Sequence, residues 1–205
     1  MFYHNKKYQT GDQWLIDTEY TKYQDLLPLV ESNPNTEYSN ETVAFNARQY
    51  PLWSDPVVAQ TVKHKQYRDN YVQHPAWEEA TRGIFEWTKR RLKRNKIDLN
   101  FVPTISWSME YGVGGWQSMH THDSDCITQI FYLDGEINRD PNVSAKENNW
   151  GSMYAFLTKG DKPLYKSFSS WAGRCIILRG DIFHGVYPIK TLPRRTIIMD
   201  YKVIR

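Results

Sequence analysis

Cysteine is nearly absent from this sequence: there are only Cys126 and Cys175, each inside a hydrophobic strand-like run and without CxxC spacing. Two isolated thiols exclude a disulfide framework and fit a reducing compartment. Long apolar runs are missing too. Nowhere do about 18 or more apolar residues follow one another, and the start, MFYHNKKYQTGDQW, has no apolar stretch of signal-peptide length. The expectation is a soluble, intracellular, cytoplasmic protein with no membrane partner. Excess charge of one sign is also scarce. Against 26 Lys and Arg stand 23 Asp and Glu, so the net charge of +3 and pI near 8.7 do not by themselves indicate a nucleic-acid binder. Internal repeats and low-complexity segments are absent.

Aromatic residues are plentiful. They make up 15% of the chain, with 8 Trp and 14 Tyr, and 40% of all residues are hydrophobic. That is ample apolar surface for a core, and 205 residues suit one structural domain. Residues 1–75 are polar and turn-rich, as in SNPNTEYSNET and YPLWSDP, and predict loops and short helices. From Pro75 the segment PAWEEATRGIFEWTKRRLKRNK predicts a helix. Proline suits its first position, Glu78 and Glu79 its first turn, and cations its last. Trp77, Ala80, Ile84, Trp87 and Leu92 recur near the helical period and predict one buried face.

From about residue 101 short β-branched and aromatic runs alternate with Gly, Asp, Asn and Pro. They predict eight strands, at 101–111, 116–120, 127–133, 152–158, 164–169, 174–179, 184–188 and 195–203. Eight strands suit a jelly roll. The expected fold is mainly β with N-terminal helices: residues 1–100 form a helical and irregular cover, packed on a double-stranded β-helix (jelly-roll, cupin-like) core over 101–205. In the last strand Ile197, Met199, Tyr201 and Val203 share one face, towards the helices. Arg194, Thr196, Ile198 and Asp200 share the other, towards the barrel.

Three histidines stand where a metal site would need them: His120 and His122 in MHTHDSD, and His184 in RGDIFHGVYP. Side chains one residue apart on an extended segment point the same way, so His120 and His122 can grip one ion from one side. His184, directly after a hydrophobic strand, can complete a facial set and leave positions open for substrate, cosubstrate or oxygen. Imidazole suits Fe, Ni, Cu or Zn, so ligand type alone does not select the metal. An isolated histidine near a strand is more often a surface or satisfied core residue; three in these positions are harder to dismiss.

Beyond His184 the chain continues GVYPIKTLPRRTIIMDY, which puts Arg194 and Thr196 on one strand face and Arg195 on the other. The passages WSMEYGVGGWQSMHTH, ITQIFYLDGE, AGRCIILRGDIFHGVYP and RRTIIMDY together resemble the iron(II)- and 2-oxoglutarate-dependent oxygenases, most closely the branch with a histidine-x-histidine signature. The resemblance runs from Trp107 to the C-terminus. It implies a hydroxylase using Fe(II), 2-oxoglutarate and O2, with His120, His184 and Arg194 as catalytic residues. It also implies His120, His122 and His184 as metal ligands, and Arg194, Thr196 and Tyr132 as cosubstrate binders. A guanidinium fork is chemically suited to hold the far carboxylate of 2-oxoglutarate. Most members of the superfamily carry histidine-x-carboxylate where His120 and His122 stand, so the third ligand is His122, Asp123 or Asp125, with His122 favoured. Trp107, Tyr111, Trp116 and Tyr132 are candidates for the barrel mouth, although aromatics are ordinary strand residues.

Two other readings compete. GWQSMHTHDSD also resembles the cupin pattern, which would give a metal-dependent dioxygenase or isomerase without 2-oxoglutarate and leave Arg194 and Thr196 unexplained. A jelly roll without activity, serving as a binding or structural module, is the second. The run Lys89, Arg90, Arg91, Lys93, Arg94 and Lys96 could track the phosphates of a nucleic acid, although a solvated helix end is the simpler explanation. The substrate class, small molecule or protein side chain, is not legible, and residues 134–151 are expected to form a lid.

Overall fold

A computed structural model of the chain describes residues 4–31, 44–55, 75–134, 150–190 and 194–204. In order these form β1 (Asn5–Thr10), β2 (Gln13–Glu19), a 3-10 turn (Tyr23–Leu26), α1 (Leu27–Glu31), β3 (Ala44–Ser54) and α2 (Pro75–Arg94). Then come β4 (Asn100–His120), β5 (Cys126–Tyr132), β6 (Met153–Leu157), β7 (Leu164–Phe168), β8 (Arg174–Arg179), β9 (Phe183–Val186) and β10 (Arg194–Ile204). The strand order is β1-β2-β8-β5-β10-β4-β9-β6-β7, with β3 on the free side of β4. All pairings are antiparallel. The fold is mainly β, a double-stranded β-helix with helices from the N-terminal half.

Strands β2, β5, β8 and β10 are buried on both faces, which is why they read as near-continuous hydrophobic runs. On one face Ile16, Phe131, Ile177, Met199 and Tyr201 meet Trp77, Ile84 and Leu92 of α2. On the other, Leu15, Ile130, Ile176 and Ile198 of the larger arm of the sheet (β1, β2, β8, β5, β10 and the first part of β4) meet Met153, Ala155 and Val186 of its smaller arm (the end of β4, β9, β6 and β7), the two arms being the two sheets of the fold. The expected parity of β10 therefore holds, with its odd residues on the helix side. Each such side chain contributes about 1.5–3 kcal/mol by leaving water.

Helix α2 begins at Pro75, has Glu78 in its first turn and Arg91, Lys93 and Arg94 in its last. It ends where Asn95 donates its side-chain amide to the Arg91 carbonyl and Lys96 turns into the left-handed region at φ 58°. No helix among the described residues is long and apolar enough to cross a membrane.

Two expectations need correction. Part of the stretch 1–75, expected to be loops and short helices, is strand: β1 and β2 pair as a hairpin, β2 joins β8, and β3 joins β4. β1 is a charged edge strand and β2 is buried throughout, so neither shows plain alternation; β3 contains Pro51. The segments 101–111 and 116–120 are one strand rather than two. β4 pairs with β10 up to Tyr111, bends through Gly112–Gly115, and then pairs with β9 from Gln117.

A second irregularity in β4 sets its side chains. The register against β10 slips between Asp200 and Tyr201, which face Ile105 and Pro103 and leave Thr104 as the extra residue. One inserted residue exchanges the two faces of a strand. Phe101 therefore lies in the helix-side core, whereas Trp107, Met109 and Tyr111 point between the sheets.

Candidate metal centre

The bend in β4 delivers His120 directly opposite His184 of β9. His122 lies two residues past the end of β4, where its backbone N–H donates to the Gly180 carbonyl at 2.8 Å. The three imidazoles come together, with one potential ligand nitrogen from each inside a mutual 4.8 Å. Their ring centroids are 4.3 Å apart for His120 and His184, 5.5 Å for His120 and His122, and 5.3 Å for His122 and His184. Asp123 and Asp125 are not in this cluster, and Asp125 is ion-paired with Lys202.

The tautomers follow from the acceptors. His120 Nδ1 lies 2.9 Å from the Ser118 carbonyl and His184 Nδ1 lies 3.0 Å from the Ile182 carbonyl. A carbonyl only accepts, so Nδ1 carries the proton in both and Nε2 keeps its lone pair for the centre. His122 Nδ1 faces Asp200 Oδ2 at 2.8 Å, and Thr128 Oγ1 donates to Asp200 Oδ1 at 2.8 Å. Burial lowers the pKa of His120, and it holds His184, only 4% exposed and beside two other imidazoles, well below its ordinary value. At His122 burial also opposes the charge, but the Asp200 carboxylate outweighs it and raises the pKa. His120 and His184 are thus neutral donors at ordinary pH, as metal ligation requires.

The cluster opens on a narrow cleft walled by Met109, Ile130, Met153, Val186 and Ile198. Arg194 and Thr196 also line it, on the same face of β10. Arg194 is 3% exposed, its guanidinium over the rings of Tyr111 at 4.9 Å and Tyr132 at 5.0 Å. Among the described residues its Nε and Nη1 are buried without a hydrogen-bond partner, and so is the Tyr132 hydroxyl. Thr196 pairs in register with Tyr132. Burial pushes the Tyr111 hydroxyl up to about 12 despite nearby Arg194, so it stays protonated and donates to Gln117 Oε1 at 2.8 Å.

Arg195, on the opposite face, binds Asp134 outside the cleft. Trp107 and Tyr111 line the cleft, and the Trp107 ring lies 6.2 Å from that of His122. Trp116 does not line it: it is 40% exposed and stacks on Phe45. Of the basic run, Lys89 pairs with Glu86, and Arg91 lies over Trp87 and donates to the Glu19 carbonyl. Residues 135–149 of the expected lid lie outside the described residues. Sequence reasoning missed Gln117, Thr128 and the contact between Asp200 and His122. The one available signal was an acid, Asp200, sharing the face of Arg194 and Thr196.

No family model matches the chain, and no curated protein matches it. Solved structures do. The chain is similar to a prolyl-4-hydroxylase of Pseudomonas putida, at 15% identity and TM-score 0.59 over 93% of this chain and 92% of that one. It is similar to HygX of Streptomyces hygroscopicus, solved with nickel and 2-oxoglutarate bound, at 11% identity and TM-score 0.59 over 92% and 82%. A third is a prolyl hydroxylase of Trichoplax adhaerens in complex with a hypoxia inducible factor peptide fragment, at 12% identity and TM-score 0.57 over 92% and 83%. At such identities the likeness establishes the fold alone.

Proposed function

We propose that this chain is an Fe(II)- and 2-oxoglutarate-dependent dioxygenase that hydroxylates its substrate. The observation that carries the reading is Arg194: a guanidinium buried in the same cleft as three clustered imidazoles and over the Tyr132 ring, with Nε and Nη1 unpartnered among the described residues. Buried donors without acceptors are costly, and an anionic ligand would satisfy them. In this reading Arg194, Thr196 and Tyr132 hold the far carboxylate of 2-oxoglutarate.

His120, His122 and His184 would hold the metal, with Nε2 of each ring free to ligate. Bound Fe(II) would supply oxygen activation coupled to oxidative decarboxylation of 2-oxoglutarate. The protein's own part is orientation and exclusion of water. Ile130, Met153, Val186 and Ile198 keep the cleft apolar, which strengthens the contact between guanidinium and carboxylate. The likeness to folds solved with a peptide fragment and with hygromycin B supports a protein side chain or a small molecule as substrate. A cupin-type enzyme working without 2-oxoglutarate would leave the Arg194 donors unused.

Anaerobic Fe(II) titration with and without 2-oxoglutarate tests the proposal. A visible metal-to-ligand charge-transfer band is expected with the unaltered chain and is expected to weaken strongly in Arg194→Ala. Bound metal without a band would move the assignment to a cupin-type enzyme. No bound metal would move it to a binding module.

A further inference from the structure

The anionic support of the histidine cluster is unequal. His120 and His184 donate to neutral backbone carbonyls, whereas His122 faces a carboxylate. His122 is also the position at which most of the resembled oxygenases carry an acid, so a negative charge is present here but one side chain further back. Asp200 itself is 8% exposed, and both its oxygens are engaged, Oδ2 by His122 and Oδ1 by the buried Thr128 hydroxyl. Among the described residues no lysine or arginine forms an ion pair with it. A buried acid with an imidazole as its charge partner is expensive unless that partnership has a use.

The backbone holds this acid in place. The β4 bulge lies against Asp200, and the extra residue, Thr104, donates its hydroxyl to the Asp200 carbonyl at 2.9 Å. Asp200 is not among the residues lining the cleft, nor in the cluster that could hold an ion. Its hydrogen bond to the three-imidazole cluster is made to His122.

We propose that Asp200 is a positioning residue for the metal centre: through His122 it supplies the negative charge that a directly bound carboxylate would carry, and it fixes His122 with Nε2 towards the ion. The inference rests on the metal reading given above. Three neutral imidazoles leave the full charge of a divalent ion uncompensated. A carboxylate accepting from Nδ1–H makes the ring a stronger donor, and loss of such a partner typically weakens metal binding about 10–100-fold.

The test uses the full chain and Co(II), whose visible absorption reports ligand field and whose affinity is read by competition with a chromophoric chelator. Four proteins are compared: unaltered, Asp200→Asn, His122→Asp and the double variant. In the unaltered background Asp200→Asn is expected to weaken Co(II) about 10–100-fold and to shift its absorption. In the His122→Asp background the acid binds directly and Asp200 is left as an unpaired like charge. There Asp200→Asn is expected to leave affinity unchanged or to raise it.

Equal weakening in both backgrounds, or none in either, overturns the proposal. Equal weakening would make Asp200 a strand clamp through Thr128. A chain that binds no Co(II) at all fails differently, because it overturns the metal reading itself. A readout that needs no variant of Asp200 is the imidazole 15N spectrum of the unaltered Zn(II)-loaded chain, with His122 assigned by its loss in His122→Asp. Nε2 ligation with a retained Nδ1 proton supports the proposal, and Nδ1 ligation overturns it.

Discussion

Arg194 carries opposing energies within one side chain. Its guanidinium gains about 0.5–2 kcal/mol from the two tyrosine rings it covers. Burying a charge whose donors have no partner among the described residues costs more, and an apolar side chain of similar volume carries no such cost. Arg194→Met is therefore expected to raise the thermal midpoint of the metal-free protein. The same variant is expected to abolish the midpoint increase that 2-oxoglutarate gives in the presence of Zn(II). Thermal denaturation of both proteins with and without cosubstrate checks this; a metal-free variant less stable than the unaltered protein would make Arg194 a structural residue. The grouping of His120, His122 and His184 was legible from their spacing and from strand parity, whereas Arg194 joined them through the resemblance, supported by its sharing a strand face with Thr196. Asp200 was legible only as an acid on the buried face. Its contact with His122 depends on a bulge in β4 and on where the chain turns after His120, neither of which the residues of β10 encode.

At the scale of the element, β4 decides where the centre lies, because one strand serves both sheets. Its corner is built from Gly112–Gly115 against Asn46, which sits at φ 48° and donates its side-chain amide to the Val113 carbonyl. Gly114 has φ 78° with nothing near its missing Cβ, so Gly114→Ala is expected to cost only the left-handed penalty, about 1–2 kcal/mol, and to leave metal affinity unchanged. A Cβ on Gly115 would stand 2.6 Å from the Asn46 carbonyl oxygen and 2.8 Å from that of Gly112. These are backbone atoms and cannot step aside, so Gly115→Ala is expected to cost about 1–3 kcal/mol or more and to displace the arm that carries Gln117 and His120. Chemical denaturation together with Co(II) affinity for the two variants separates the outcomes; equal metal affinity in both would deny the corner its positioning role. The GVGG stretch looks like a break between two strands because glycine usually punctuates. Here it allows a strand to change sheets without ending. The strands from β5 onward were readable because their buried runs end at turn residues, whereas β1, with its lysines at a sheet edge, lacks that signature.

For the whole molecule, the larger sheet separates two jobs. Its helix-side face packs on α2, and the buried Thr88 hydroxyl joins that helix to Gln129, which also accepts from the Tyr201 hydroxyl. Its other face carries Arg194, Thr196 and Ile198 into the cleft. We read α2 as a cover that stabilises the sheet without taking part in ligand binding, and this makes the two properties separable. Ile84, fully buried on the helix, has its contacts in the helix-side core alone. Ile84→Ala should leave a cavity there and cost about 2–5 kcal/mol of unfolding free energy. Because the sheet stands between that cavity and the cleft, affinities for Co(II) and 2-oxoglutarate should stay within about twofold. Ile130→Ala, on the cleft side of the same sheet, should lower both stability and cosubstrate affinity. Denaturant unfolding and ligand titration on the two variants decide the matter. If Ile84→Ala weakened ligand binding as much as Ile130→Ala, strain would be crossing the sheet, and α2 would belong to the binding machinery.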